Sequence, residues 1–426
     1  MQNTLEIEGL DGKQELSGEI EVHGGKNSAL IALPAAFLFQ DGYSIENVPD
    51  IEDVSRMTEI MAESGAKIKR EKNTVTVEIG ESIDTKLNSE LVGKIRASIF
   101  LVGPLLARYG SVQIPHPGGD NIGPRPVDLF IDVFTQMGAT CKEENGVYKF
   151  TTKGKLKGAD IFLRIQSVGV TQSAMLAAVL AEGITTIRNA AQEPEISDLA
   201  EFLNSCGANI SGIGSSTLTI VGGDVLSTKK HVYEVIPDRL DTGTFLILGV
   251  LAAKNLKIVK CNPKHLDALI EIVKRISSSE VDVGEDFICV TNKLPLTVKE
   301  TDIQTHEYPG LPSDMQPQLA VLLTQASGKS LIFETIYEGR LAYGGNLIQM
   351  GADIVTYDPH RASIRGKTPL KGSTISSPDI RAGLAYVLAA TIAKGKSVIH
   401  NVYCIDRGYA RIEERLANIG LKITRK

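Results

Sequence analysis

Apolar and polar positions along this chain alternate between two patterns. In one, nearly every residue is apolar or small, as in NSALIALPAAFLF, QSAMLAAVLA, TFLILGVLAA and AGLAYVLAATIA. Such a run predicts a helix enclosed on all sides. In the other, apolar residues form one stripe at helical spacing. Ile196, Leu199, Phe202, Leu203 and Cys206 do so before Gly207, and Tyr409, Ile412, Leu416 and Ile419 do so before Gly420. That pattern predicts a helix with one buried face and a charged back. Between the two patterns lie short strand-like segments such as YSIENV, ITTIRNA and SVIHNV.

The order recurs: enclosed helix, glycine turn (Gly42, Gly183, Gly395), strand, striped helix, closing glycine (Gly65, Gly138, Gly207, Gly351, Gly420). The period is about 70 residues, so six units nearly exhaust the chain, with the fourth closing at Ser277-Ser278-Ser279 instead of a glycine. Enclosed helices belong at a centre, with sheets and striped helices around them, the inverse of an α/β barrel with strands within. Three units per domain is the natural division of an α/β chain of this length.

Composition adds limits. The 426 residues are 42% hydrophobic and 23% charged, an ordinary globular balance. A net charge of −6 offers no general attraction to nucleic acid or an anionic membrane, so a cationic site must be assembled locally. Five scattered cysteines without a CxxC pair argue against a disulfide framework and a zinc site. The N-terminus alternates like strands and carries no targeting pattern, and the longest apolar runs are about half the roughly 20 residues of a bilayer span. These features predict a cytoplasmic protein.

The heads of the enclosed helices hold polar residues that packing alone does not ask for. Lys26-Asn27 precedes the first, Arg96 opens the second, Ser167-Val168-Gly169 precedes the third, Asp241-Thr242 opens the fourth, Asp314 the fifth, and Asp379 with Arg381 the sixth. Helix N-termini present unpaired N–H groups and partial positive charge. Two faces of such heads, with Lys26, Arg96, Arg125, Arg340, Arg381 and Arg407, would suit a substrate bearing several anionic groups. Residue by residue, capping and structural ion pairing remain the alternatives. The segment HPGGDNIGPRPVDLF, beginning at His116, reads as an ordered loop able to act as a lid over 116–126, with Asp120 at its tip. Asp120 reads equally as an ordinary loop aspartate, and Asp314 as either an N-cap or a catalytic carboxylate.

At GGKNSAL, IRASIFLVGPLLAR, PGGDNIGPRPVDL, SVGVT, EPEISD, PDRLDTGTF, PSDMQPQ and IDRGYARIEERL the chain resembles, over essentially its whole length, the UDP-N-acetylglucosamine 1-carboxyvinyltransferases, enolpyruvyl transferases of the EPSP synthase family. The resemblance implies two inside-out α/β domains, each of three βαβαββ units: residues 1–20 plus 237–426, and residues 21–236. It implies transfer of the enolpyruvyl group of phosphoenolpyruvate to the 3-hydroxyl of UDP-N-acetylglucosamine by addition and elimination of phosphate, without metal or cofactor and without an obligate protein partner. Lys26 and Asn27 would hold phosphoenolpyruvate, with Arg125 and Arg407 joining Lys26 on its phosphate, and Arg340 and Arg381 serving its carboxylate. Arg96, the run Arg125, Pro126, Val127, Asp128 and Leu129, the turn Ser167, Val168 and Gly169, and Ile336 would contact the nucleotide sugar. Asp314 would take the hydroxyl proton.

The chain departs from the family at several points. Asp120 stands where most members carry a cysteine that donates a proton and is alkylated by fosfomycin, so the chain is expected to be active and fosfomycin-insensitive. Phe130 and Cys404 replace histidines, and Ile165-Gln166 replaces Lys-Val, with Arg164 one position away from the missing cation. Two rival readings stay open: transfer to shikimate 3-phosphate, and a non-catalytic paralogue that binds a sugar nucleotide.

Overall fold

The computed structural model describes residues 4–119, 127–228, 232–293 and 295–426. The chain forms two compact units. The C-terminal unit combines the N-terminal residues through His23 with Pro237–Lys426; the other spans residues 24–119 and 127–236. Asp120, Arg125 and Pro126 lie outside the described residues.

In the C-terminal unit three enclosed helices, Arg239–Ala252, Gln316–Leu323 and Ile380–Ile392, pack on one another. Every residue of Gln316–Leu323 and Ile380–Ile392 is buried, as the run of apolar and small side chains requires. Three four-stranded sheets surround them, each mixing one parallel pair with two antiparallel pairs. In one, Gly328–Phe333 pairs antiparallel with Arg361–Gly366 and parallel with Ile303–Gln304. The extreme N-terminus supplies Leu5–Leu10, which sits between Lys394–His400 and Ile423–Arg425. The striped helix Asp267–Ile276 turns Leu269, Ile270, Val273 and Ile276 inward and leaves Lys274 and Arg275 outside.

The other unit repeats the plan with Lys26–Ala35, Val102–Tyr109 and Val168–Val179 inside and sheets of four, three and four strands outside. Val102–Tyr109 and Val168–Val179 approach so closely at Gly103 that a Cβ there would lie 2.7 Å from the Ser173 carbonyl oxygen. Only glycine admits that backbone contact.

The closing glycines share one conformation, which explains the period. Gly65, Gly138, Gly207, Gly351 and Gly420 have φ of 103°, 88°, 107°, 104° and 102°. Each follows a striped helix and turns the chain into the next strand at a positive φ that side-chain-bearing residues avoid. The fourth copy needs no glycine because Ser277 leaves its helix extended, at φ −107°. One sequence expectation needs correction. The last striped helix covers only Ile412–Asn418, since Arg411 is left-handed at φ 43° and breaks the run; Tyr409 is buried ahead of the helix.

Candidate active site

In the C-terminal unit the heads of the enclosed helices converge on Asp314. This residue lies in the short turn Ser313–Met315 leading into Gln316–Leu323, and no side chain caps either element. Capping is therefore not its role. One carboxylate oxygen accepts from Arg340 Nη2 at 2.6 Å, and the other from Arg381 Nε at 3.0 Å. Both guanidiniums are buried, whereas the Asp314 side chain keeps 27% of its surface open. A ligand can reach it. Burial pushes the Asp314 carboxyl up, but Arg381 and Arg340, helped by Arg239, outweigh burial and hold it well below the usual carboxylate range.

Two further networks fix these arginines. Arg381 also donates from Nη1 to the buried Tyr409 hydroxyl at 2.8 Å. Arg340 donates from Nε to Ser313 Oγ at 3.3 Å, and Ser313 in turn donates to Glu334 at 2.9 Å. Asp379 is the N-cap of Ile380–Ile392, accepting from the backbone N–H of Arg381 and Ala382 at 2.8 and 3.0 Å. Asp241 proves structural: Arg415 clamps both its oxygens, at 3.1 and 2.7 Å. Asp238, not Asp241, caps that helix. Arg407 is buried at the end of the short helix Tyr403–Asp406, and Ile336 is half-buried beyond the strand Gly328–Phe333.

In the other unit the described site residues stand at helix heads. Lys26 opens the first and is buried, with its ammonium 2.7 Å from the buried carboxylate of Asp53; Asn27 beside it is half-buried. Arg96 opens the turn Arg96–Leu101 that leads into Val102–Tyr109. Ser167 caps Val168–Val179 through the Val170 N–H at 3.4 Å, with Val168 and Gly169 half-buried beside it. Val127 is buried, Asp128 exposed and Leu129 half-buried. The Arg164 guanidinium contacts the Asp128 carboxylate directly. Ile165 is exposed, while Gln166 is tied to the Ala190 carbonyl at 2.9 Å. Phe130 is buried beneath the 167–169 turn, where a Cβ on Gly169 would lie 3.5 Å from its ring.

Three participants escaped the sequence reading. Asp53 interrupts the apolar stripe of Glu52–Glu63, one helical turn from Met57. Glu334 continues the inward alternation of Ile332 and is fully buried. An acid at an inward position is a legible signal of a buried partner. Ser313 carries no such signal.

Residues 10–416 match the EPSP synthase (3-phosphoshikimate 1-carboxyvinyltransferase) family. The chain is 41% identical over 98% of its length to a UDP-N-acetylglucosamine 1-carboxyvinyltransferase of Acidobacterium capsulatum, covering 95% of that protein. It is 40% identical to proteins of the same name from Nostoc sp., covering 97% of this chain and 92% of that one, and from Yersinia pestis, covering 98% of each. Among solved structures it is similar to the enolpyruvyl transferase NikO from Streptomyces tendae, with a TM-score of 0.88 and 25% identity over 100% and 99% of the two chains. It shares the fold of EPSP synthase from Acinetobacter baumannii, with a TM-score of 0.75 over the whole of both chains at 19% identity. No described helix is long and apolar enough to cross a membrane. A chain matched from residue 10 to residue 416, with relatives aligned nearly end to end, belongs to the EPSP synthase family.

Proposed function

We propose that this protein transfers the enolpyruvyl group of phosphoenolpyruvate to the 3-hydroxyl of UDP-N-acetylglucosamine, releasing phosphate in the first committed step of peptidoglycan synthesis. The observation that carries the reading is the open carboxylate of Asp314 held between Arg340 and Arg381, in a chain about 40% identical to enzymes of that name.

The chemistry makes definite demands. The acceptor oxygen bonds to C2 of phosphoenolpyruvate while C3 gains a proton, and the hydroxyl proton leaves to a base. The carboxylate that gave its proton to C3 then takes one back from C3 as the C2–O bond to phosphate breaks, restoring the double bond and releasing phosphate. Asp314 is the base that takes the hydroxyl proton. Its two arginines make it a weak base at rest; a substrate carboxylate that draws on Arg340 and Arg381 releases its basicity at the moment it is needed. Asp120 donates the proton to C3. Lys26, Asn27, Arg125 and Arg407 serve phosphoenolpyruvate, their charges offsetting those of the phosphate. Arg96, residues 125–129, the 167–169 turn and Ile336 take the nucleotide sugar, with Arg164 supplying the cation lost at Ile165-Gln166. The protein acts in the cytoplasm, the compartment that its sequence features predict.

Asp314→Ala tests the assignment. Turnover is expected to fall by about a thousandfold or more, with thermal unfolding still cooperative. Undiminished turnover in a folded variant refutes the role. A carboxylate attacks an epoxide far more slowly than a thiolate does, so fosfomycin is expected to leave the enzyme active. Time-dependent inactivation with a covalent adduct on Asp120 contradicts that expectation.

A further inference from the structure

Glu334, which is assigned no substrate contact itself, lies at the centre of a hydrogen-bond relay that reaches Ile336, Arg340 and Asp314. It is fully buried just past the strand Gly328–Phe333, and its backbone is fixed on both sides by His360: the Glu334 N–H donates to the His360 carbonyl, and the His360 ring pairs with the Glu334 carbonyl at 2.8 Å. A single carboxylate oxygen, Oε1, accepts three hydrogen bonds. They come from the Ile336 N–H at 2.9 Å, the Tyr337 N–H at 3.1 Å and the Ser313 hydroxyl at 2.9 Å. The other oxygen, Oε2, makes no hydrogen bond among the described residues.

Two arms leave this oxygen. One is the backbone turn at Ile336 and Tyr337, outside any regular element, whose two N–H groups converge on Oε1. It is also tied at Thr335 to Thr305, at 2.9 and 2.6 Å, and at the Tyr337 carbonyl, which accepts from the Arg340 N–H at 3.1 Å. The other runs through Ser313, whose oxygen accepts from Arg340 Nε while Arg340 Nη2 grips Asp314. We infer that Glu334 is a positioning residue that sets the acceptor-binding turn at Ile336 and, through Ser313, the Arg340–Asp314 pair, so that acceptor contact and base share one anchor. The inference rests on the reading of Asp314 as base and Ile336 as acceptor contact. A carboxyl oxygen is suited to the task because its lone pairs can accept from several donors at once, and buried hydrogen bonds reinforce one another. Packing alone does not account for it, since a buried acid with one oxygen unpartnered is costly unless the other is heavily used.

The arms separate by substitution. Glu334→Ala removes both, leaving two backbone N–H groups and the Ser313 hydroxyl without their acceptor; kcat is expected to fall about tenfold and KM for UDP-N-acetylglucosamine to rise about tenfold. Ser313→Ala cuts only the arm to Arg340. It is expected to lower kcat about tenfold while acceptor KM stays within about twofold. Glu334→Gln keeps a carbonyl oxygen for the same three donors and is expected to bring both constants within about threefold of the parent. Thermal unfolding is recorded for each protein. Should Glu334→Ala fail to fold, the Ser313→Ala and Glu334→Gln pair decides the matter alone. Three results overturn the inference: Glu334→Ala folded with both constants unchanged, Ser313→Ala raising acceptor KM as Glu334→Ala does, or Glu334→Gln as impaired as Glu334→Ala. A parent without turnover sinks the functional reading together with this one, whereas parental turnover with unshifted variants sinks the inference alone.

Discussion

At the scale of single residues, the chain places charge where burial makes it expensive and then surrounds it with partners. Asp314 between two buried arginines, Lys26 against Asp53 and Asp241 clamped by Arg415 are instances at helix heads. Taking one partner from such a pair costs far more than the pair contributes, because it strands a buried charge. Asp198 behaves differently. Burial pushes its carboxyl up to about 6, the bond donated by the Tyr233 hydroxyl lowers it only in part, and the charges of Glu201, Glu195 and Glu234 add to the rise. Its folded value lies above the ordinary 3.8, so the folded unit binds this proton more tightly than the unfolded chain does. The contribution to stability is greatest below about pH 4, declines as pH rises to about 6, and is level beyond. The shift is worth at most roughly 3 kcal/mol, less whatever solvent screens at this partly exposed group. Thermal unfolding of the parent and of Asp198→Asn between pH 4 and 7 should show the variant gaining relative to the parent as pH rises. A constant difference across that range would contradict the assignment.

At the scale of elements, the period was legible because each copy solves the same steric problem in the same way. Enclosed helices announced themselves by lacking a polar face, and striped helices by having one; the structure builds both from those segments. The glycine at each closure was legible as spacing, and its cause is the positive φ that the turn demands. Gly207→Ala is expected to cost about 1–2 kcal/mol, since φ of 107° strains any side-chain-bearing residue. Ser277→Gly is expected to give no gain, because that copy exits extended and glycine there only adds freedom to the unfolded chain. Chemical denaturation of the two variants checks both; a stabilised Ser277→Gly would show that the fourth copy strains towards the common turn. What the pattern misjudged was the last striped helix, where Tyr409 fits the stripe by spacing yet serves Arg381 from outside the helix. Periodicity cannot tell a helical contact from one made by a preceding loop.

At the scale of the whole molecule, two units of one architecture arise from a sequence that repeats about every 70 residues, and the extreme N-terminus returns to the unit built mainly from the C-terminal half. The polar heads of the enclosed helices were readable as a group because a core helix has no packing use for them. Their individual duties were not. Asp314, Asp379 and Asp241 look alike in sequence, and only their partners separate an ion-paired carboxylate, an N-cap and a structural clamp. Asp379 caps N–H groups only two and three residues on, but the partners of Asp314 and Asp241 lie far along the chain, at Arg340, Arg381 and Arg415, so no local pattern reveals them. Ser313 escaped because its partners Glu334 and Arg340 are likewise distant in sequence, whereas Glu334 was legible as an acid continuing the inward alternation of its strand. The central claim is the identity of the acceptor, and release of phosphate from phosphoenolpyruvate tests it most directly. With the purified full chain, release should require UDP-N-acetylglucosamine and stay at background with shikimate 3-phosphate; release with shikimate 3-phosphate instead, or with neither acceptor, would contradict the account.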